Sequence, residues 1–224
     1  MSDSYTLGVI LCAAGHSTRM GTDKIGYLLG GKPTYRWAAE TFLADPHTVR
    51  LVLAVPADKM DQFPVWDPRI VLCAGGSSRQ ETVANAARLV GDVDLIAVHD
   101  GARPFVTGEL IAAVSAAALE AGAALPYLPV TDTIHIAENG YAVAVTDRAS
   151  LAAAQTPQTF TNSVFREIIA LAESGRVVLT DECSAAIACG HPCRLVLGDR
   201  KNKKLTTPED LTAAEQLAAQ FQSR

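Results

Sequence analysis

Short apolar runs alternate with segments of helical period along nearly the whole chain, and this alternation limits the fold more than any other feature. The runs cover residues 7–13, 49–55, 70–73, 95–98, 123–130 and 194–197, each with the length and composition of a buried strand. Between them lie amphipathic stretches at 33–43, 79–90, 108–121, 162–172, 181–188 and 208–221. Strands separated by helices pair in parallel, through crossovers that lay helices on both faces of one sheet. A Rossmann-like three-layer α/β fold with a mostly parallel sheet is therefore expected. The helix starts agree with this. Thr207-Pro-Glu-Asp210 joins a hydroxyl cap to a proline at the first helical position, and Thr180-Asp-Glu puts two carboxylates in a first turn. Ser77 and Ser78 precede Gln80 and Glu81 at capping-box spacing.

Residues 131–150, "TDTIHIAENGYAVAVTDRAS", break the rhythm. Alternating β-type residues flank Asn139-Gly140, a strong hairpin signal. A hairpin has no obvious place in a parallel sheet, so it is expected to project as an arm. An arm carrying Ile134, Ile136, Val143 and Val145 needs a partner to cover it. With no repeat, low-complexity tract or linker, the expectation is one domain over 1–224 with 131–150 as a dimerisation arm.

Composition narrows the class. A chain of 224 residues buries roughly 70% of its unfolded surface, and 49% apolar with 19% charged residues is the balance of an ordered globular protein. A net charge of −5 gives no electrostatic footprint for nucleic acid, which leaves only local anion sites. No apolar run approaches the roughly 20 residues that cross a bilayer. Residues 1–7 are polar and lead straight into a strand, so neither a signal nor a transit peptide is expected. Five cysteines, an odd number without a disulfide framework, suit a reducing cytoplasm. Cys189-Gly-His-Pro-Cys193 invites a zinc reading, but a structural zinc takes four ligands and no second cluster appears, so the segment reads as a helix-to-strand turn.

Open parallel sheets bind ligands beyond the carboxyl ends of their strands. Past the first strand come Ala13, Ala14 and Gly15, with almost no side chain to obstruct a ligand, then Ser17, Arg19 and Lys24. Past the third come Gly75, Gly76 and Ser77, then a helix N-terminus whose free N–H groups suit an anion or a base carbonyl. The fourth is followed by His99-Asp100-Gly-Ala-Arg103-Pro104 and the last by Gly198-Asp199-Arg-Lys-Asn202-Lys-Lys204. Singly, Asp100 reads as a helix cap, Arg103 as a surface cation and the lysines as a solvated loop. Together, two acids and four cations on one sheet edge point to a polyanion bound with a divalent metal. Two common motifs do not apply. Gly26–Lys32 has Walker A spacing, but Pro33 replaces the Ser/Thr that would hold Mg2+, and Gly15 and Gly21 are too far apart for a dinucleotide fingerprint. No G-x-S-x-G supports a serine hydrolase.

At this point the residues resemble a known family. "AAGHSTRMG" resembles the A-A-G-x-G-x-R-M-G signature of nucleotidyltransferases, and "VHDGARPF" is similar to the V-H-D-A-A-R-P-F segment of the 2-C-methyl-D-erythritol 4-phosphate cytidylyltransferase family. "GGSSRQETV", "VTDTI", "AQTPQTF", "LTDECSA" and "GDRKNKKLTTPEDL" follow in that family's order over nearly the whole chain. The resemblance implies transfer of a cytidylyl group from CTP to methylerythritol phosphate, releasing pyrophosphate, in non-mevalonate isoprenoid synthesis. It places Ala13, Ala14, Gly15 and Ser17 along the nucleotide, Arg19 and Lys24 on the triphosphate as the catalytic cations, and Gly76, Ser77 and Thr82 on cytosine. Asp100 and Asp199 would hold Mg2+ or another divalent cation. Asp100, Arg103, Thr133, Arg148, Thr156 and Lys204 would surround the polyol phosphate, with Thr133 and Arg148 reaching across a homodimer on the arm.

Three departures stand out: Ser17 replaces the second loop glycine, "DKIGY" on a shorter loop replaces Pro-Lys-Gln-Tyr, and Ser77 replaces a common aspartate. Three other readings share part of the pattern. One is a cytidylyltransferase for another polyol phosphate such as ribitol 5-phosphate. Another follows the short "RMGTDK" loop toward molybdenum-cofactor nucleotidyltransferases. The last is a catalytically silent nucleotide-binding dimer, against which both acids and both leading cations count.

Overall fold

The computed structural model describes residues 4–15, 25–175 and 180–222. Its first half runs β1 (Leu7–Cys12), β2 (Leu28–Leu29), β3 (Lys32–Pro33), α1 (Thr34–Ala44), β4 (Thr48–Val55), β5 (Ile70–Ala74), α2 (Arg79–Ala87), β6 (Leu95–Asp100) and α3 (Gly108–Ala121). The second half holds β7 (Ala123–Pro129), β8 (Ile134–Glu138), β9 (Tyr141–Thr146), β10 (Ala152–Ala154), β11 (Gln158–Thr161), α4 (Asn162–Glu173), α5 (Glu182–Ala188), β12 (Arg194–Leu197) and α6 (Pro208–Gln222). In the main sheet β5, β4, β1 and β6 lie parallel in that order, and β12 runs parallel to β7. Between β6 and β7 sits β11, antiparallel to both. The short β10 also pairs antiparallel with β7, so the sheet is mostly parallel with two reversed strands, β10 and β11.

Alternation along the strands sorts side chains onto two faces. Leu7, Val9 and Leu11 of β1 join Leu51, Leu53 and Val55 of β4 in a core covered by Tyr35, Ala38 and Phe42 of α1 and by Ile111 and Val114 of α3. Ile10, Val52, Ala54 and Val98 point the other way, against Val83 and Ala86 of α2, Phe165 and Ile168 of α4, and Ala185 and Ala186 of α5. A third cluster packs α6 through Ala214 and Ala218 against Leu29, Phe105 and Leu205. No helix among the described residues is long and apolar enough to cross a membrane.

Several local expectations shift. The helix expected over 79–90 ends at Ala87, and the Leu89 N–H bonds the Ala86 carbonyl in a tighter turn, which lets Val90 fold back into the core. Short strands at Leu28–Leu29, Lys32–Pro33, Ala152–Ala154 and Gln158–Thr161 have no counterpart among the apolar runs. The Walker-like stretch is the β2–β3 ladder, and its Lys32 pairs with Glu40 while lying over the Trp37 ring. Cys189–Cys193 forms the α5-to-β12 turn, with Gly190 at φ 90° and His191 paired to Glu167 at 2.9 Å. Strands β8 and β9 make a separate two-stranded sheet, on which Ile136, Tyr141, Val143 and Val145 are each at least half exposed.

Register shows how β10 and β11 serve the site. Ala154 faces Tyr127 and Thr159 faces Ala124, so the chain from 154 to 159 spans more residues than the β7 segment it covers. The residues before β11, Gln155 to Pro157, bulge out beside the carboxyl end of β6 and include the cis Thr156–Pro157 peptide.

Candidate active site

The first cleft forms where β1, α2 and β6 end together. The Ala13 N–H bonds the Ala54 carbonyl, and the Gly101 N–H bonds the Cys12 carbonyl, so the loops after β1 and β6 run side by side. A Cβ on Gly101 would stand 2.9 Å from the Cys12 carbonyl oxygen, and one on Gly75 would collide with the Ala14 side chain. Glycine is what lets these loops close. The cleft of about 210 Å3 is lined by Ala14, Gly15, Gly76, Ser77, Thr82 and Asp100, with Cys12, Ile25, Ser78, Arg79, Ala102 and Lys204 completing it. Ser78 caps α2 by accepting from the Glu81 N–H at 3.0 Å. Glu81 reaches back to the N–H and hydroxyl of Ser77, at 2.7 and 2.6 Å. The Thr82 hydroxyl accepts the Gly76 N–H at 3.0 Å and donates to the Ser78 carbonyl at 2.8 Å, which fixes the loop facing the cleft.

Asp100 ends β6 amid three cations. Lys204 Nζ lies 2.9 Å from Oδ2, Arg103 Nε 3.5 Å from Oδ2, and Arg79 Nη2 3.4 Å from Oδ1. Burial by itself would raise this carboxyl, but Arg79, Lys204 and Arg103 reverse that and hold it well below the usual carboxylate range. Arg79 also grips Glu182 of α5. Burial opposes its charge, yet the Glu182 and Asp100 carboxylates outweigh that and strengthen its hold on its proton. Three cations against two carboxylates leave one positive charge over. A second cleft of about 160 Å3 lies beyond, lined by Arg103, Ala154, Gln155, Thr156, Gln158, Thr180 and Asp181. It shares Arg79, Asp100 and Lys204 with the first, so these three side chains form a common wall.

A buried polar scaffold holds that wall in place. The Thr156 hydroxyl accepts the Asp100 N–H at 3.1 Å and bonds His99 Nδ1 at 3.0 Å. Asn202, fully buried, donates to the Thr156 carbonyl at 2.7 Å, and its own carbonyl accepts from Arg103 at 2.9 Å. Gln155 donates to the Asp199 carbonyl at 2.9 Å and ties the bulge to the loop after β12.

Most of the expected site residues meet here. Ala14, Gly15, Gly76, Ser77 and Thr82 line the first cleft, Arg103 and Thr156 the second, and Asp100 and Lys204 both; Ala13 is buried just behind. Asp199 stands apart: its carboxylate accepts the Lys201 N–H at 2.8 Å within its own turn and lines neither cleft. Thr133 and Arg148 are exposed at the base of the arm, where Arg148 donates to the Thr131 carbonyl at 2.8 Å. Ser17, Arg19 and Lys24 lie outside the described residues, although Gly15 and Ile25, which flank that segment, both line the first cleft. Sequence reasoning missed Arg79 and Glu182. A signal for Arg79 was available: a cation at the first helical position opposes the helix dipole. Glu182 gave none, since an acid in a first turn is ordinary.

Comparison with known proteins points to one family. The family profile described as 2-C-methyl-D-erythritol 4-phosphate cytidylyltransferase matches residues 7–220. Proteins of that name from Geobacter metallireducens and Bacillus mycoides are each 36% identical to this chain; the first match covers 92% of this chain and 94% of the relative, the second 94% and 96%. The crystal structure of 2-C-methyl-D-erythritol 4-phosphate cytidylyltransferase from Thermus thermophilus superposes with a TM-score of 0.83 at 33% identity, over 96% of this chain and 99% of that one. A site built from strand ends with two clefts on one cationic wall, carried on a sequence matched from end to end, leads to one conclusion: the chain belongs to the 2-C-methyl-D-erythritol 4-phosphate cytidylyltransferase family.

Proposed function

We propose that the protein transfers the cytidylyl group of CTP to the phosphate of 2-C-methyl-D-erythritol 4-phosphate. The products are 4-diphosphocytidyl-2-C-methyl-D-erythritol and pyrophosphate, a step of isoprenoid precursor synthesis. The observation that carries this reading is the pair of clefts meeting at Asp100, Arg79 and Lys204. One cleft has the small residues and helix N-terminus that suit a nucleotide, and the other the polar lining that suits a phosphorylated polyol. An oxygen of the acceptor phosphate forms a bond to the α-phosphorus of CTP as the bond to the β-phosphate oxygen breaks, and its electron pair leaves on pyrophosphate. The acceptor is already an anion, so no general base is needed. Alignment and charge cancellation do the work. Lys204, on the common wall, is placed to meet phosphate oxygens from either side, while Arg103 and Thr156 orient the acceptor. Arg19 and Lys24 are the expected contacts to the triphosphate.

Asp100 lines both clefts and would hold a divalent cation by giving up one of its three cationic partners to the ion, since magnesium takes one or two carboxylates together with substrate phosphates rather than a full protein cage. Among the described residues no cluster of three or more His, Cys, Asp or Glu offers such a cage. The ion would supply charge neutralisation at the phosphates, with Asp100 the main protein ligand and Asp199, bound into its own turn, the lesser one. The exposed β8–β9 arm supports a homodimer, in which Thr133 and Arg148 complete the partner's acceptor cleft. Purified protein given CTP, Mg2+ and methylerythritol phosphate should release pyrophosphate, and faster than with ribitol 5-phosphate. No release with any polyol phosphate would overturn the reading.

A further inference from the structure

We propose that Glu182 is a positioning residue of the transfer site: it fixes the Arg79 guanidinium as the wall between the two clefts, where Arg79 meets the phosphates of the bound nucleotide. The inference rests on the nucleotide-transfer reading above and assigns a role to two residues outside the expected site.

Arg79 opens α2 directly after its Ser78 cap, a position where the helix dipole disfavours a cation. Its side chain lines both clefts. Nη1 goes to Glu182 and Nη2 to Asp100, so two carboxylates from different elements hold one planar fork in one orientation. Lys204, by contrast, is a flexible point charge tied to Asp100 by a single ion pair. Glu182 is 5% exposed, and its Oε2 is buried with no hydrogen-bond partner. A half-satisfied carboxylate in the interior is destabilising relative to an apolar residue of similar size, so stability alone does not account for an acid here.

The base of Glu182 is itself anchored. Asp181 caps α5 by accepting from the Ser184 N–H at 2.8 Å and takes the Gln158 amide at 2.7 Å, while the Cys183 N–H donates to Gln158 Oε1 at 2.9 Å. Gln158 belongs to β11 and lines the acceptor cleft. A continuous line of contacts therefore runs from the sheet through α5 and Glu182 to the guanidinium.

Wild-type turnover with CTP and methylerythritol phosphate tests the functional reading by itself. Glu182→Gln, Glu182→Asp, Arg79→Lys and the Arg79→Lys/Glu182→Gln double variant are then compared by kcat, by calorimetric CTP affinity and by thermal midpoint. Glu182→Gln and Arg79→Lys should each lower kcat about 10- to 100-fold and weaken CTP about tenfold. The double variant should be no worse than Arg79→Lys, because Glu182 acts only through Arg79. Glu182→Asp, which keeps the charge, should recover part of the loss. Wild-type kcat and CTP affinity in Glu182→Gln, whatever its midpoint, would overturn the proposal, as would losses that multiply in the double variant. A wild-type protein that turns over no acceptor refutes the functional reading, and the same cycle read on CTP affinity still decides the role of Glu182.

Discussion

At His99 the two ring nitrogens have separate tasks. Nε2 sits 3.1 Å from the Arg103 carbonyl and must donate to it, which leaves Nδ1 to accept from the Thr156 hydroxyl. That assignment requires a neutral ring, and burial lowers the His99 pKa to about 4. The unfolded chain therefore takes up this proton first, at about pH 6.5. Stability should be unaffected by this group above that pH and fall by about 3 kcal/mol as the pH drops to about 4, at roughly 1.4 kcal/mol per unit. Denaturant unfolding from pH 7 to 4.5 should show this slope, and His99→Gln should flatten it. Asp100 acts lower in the range: its depressed folded pKa gives stability that is present above the ordinary carboxylate range and lost as the pH falls from that range down through the folded pKa. Asp100→Asn also strands Arg103 without a counter-charge and leaves Arg79 with Glu182 alone, so it should cost about 3 kcal/mol in unfolding free energy. Its kcat/KM should fall by about 100-fold or more. Asp199→Asn, altering a carboxylate that caps its own turn, should lose less than about tenfold and keep a similar Mg2+ requirement.

Among elements, legibility followed local signals in the chain. The strand Ile70–Ala74, expected over 70–73, was readable as a continuous apolar run, and the helix Gly108–Ala121 from the period of the face it buries. The arm was readable because Asn139 at φ 50° and Gly140 at φ 86° take the left-handed turn that Asn-Gly favours. β11 was not readable, because Gln158 and Thr159 lie in a buried strand through pairing with distant residues Val98, Ala97 and Ala124. Nothing local encodes that pairing, and the bulge that delivers Thr156 to Asp100 was hidden with it. The small-residue loops, in contrast, announced the nucleotide cleft. Gly75→Ala should test how tightly they are packed. Its new methyl group would push Ala14 away from the α2 loop, so CTP affinity should fall about tenfold or more while the far-UV spectrum stays near wild type.

For the whole molecule, the proposed dimer turns on whether each arm would complete the site of its own chain or that of its partner. Each chain presents Ile136, Val143 and Val145 to solvent, and an isolated hairpin is marginal in water, so a second copy is the proposed cover. If the arms exchange, Arg148 serves the partner's cleft while Asp100 serves its own. Two inactive variants can separate the cases. A chain with Arg148→Ala keeps a complete wall but brings a defective arm, and a chain with Asp100→Asn has a defective wall but an intact arm. In a mixed dimer with arms acting across the interface, the Arg148→Ala chain receives an intact Arg148 from its partner, and one of the two sites is whole. Unfolding and refolding the variants together at equal ratio should then restore about one quarter of wild-type activity, since about half the dimers are mixed and each carries one good site. Arms that act within their own chain would leave every mixed dimer with two broken sites. Activity of the mixture no higher than that of the separate variants, with mixed dimers confirmed by native mass spectrometry, would place Arg148 with its own Asp100.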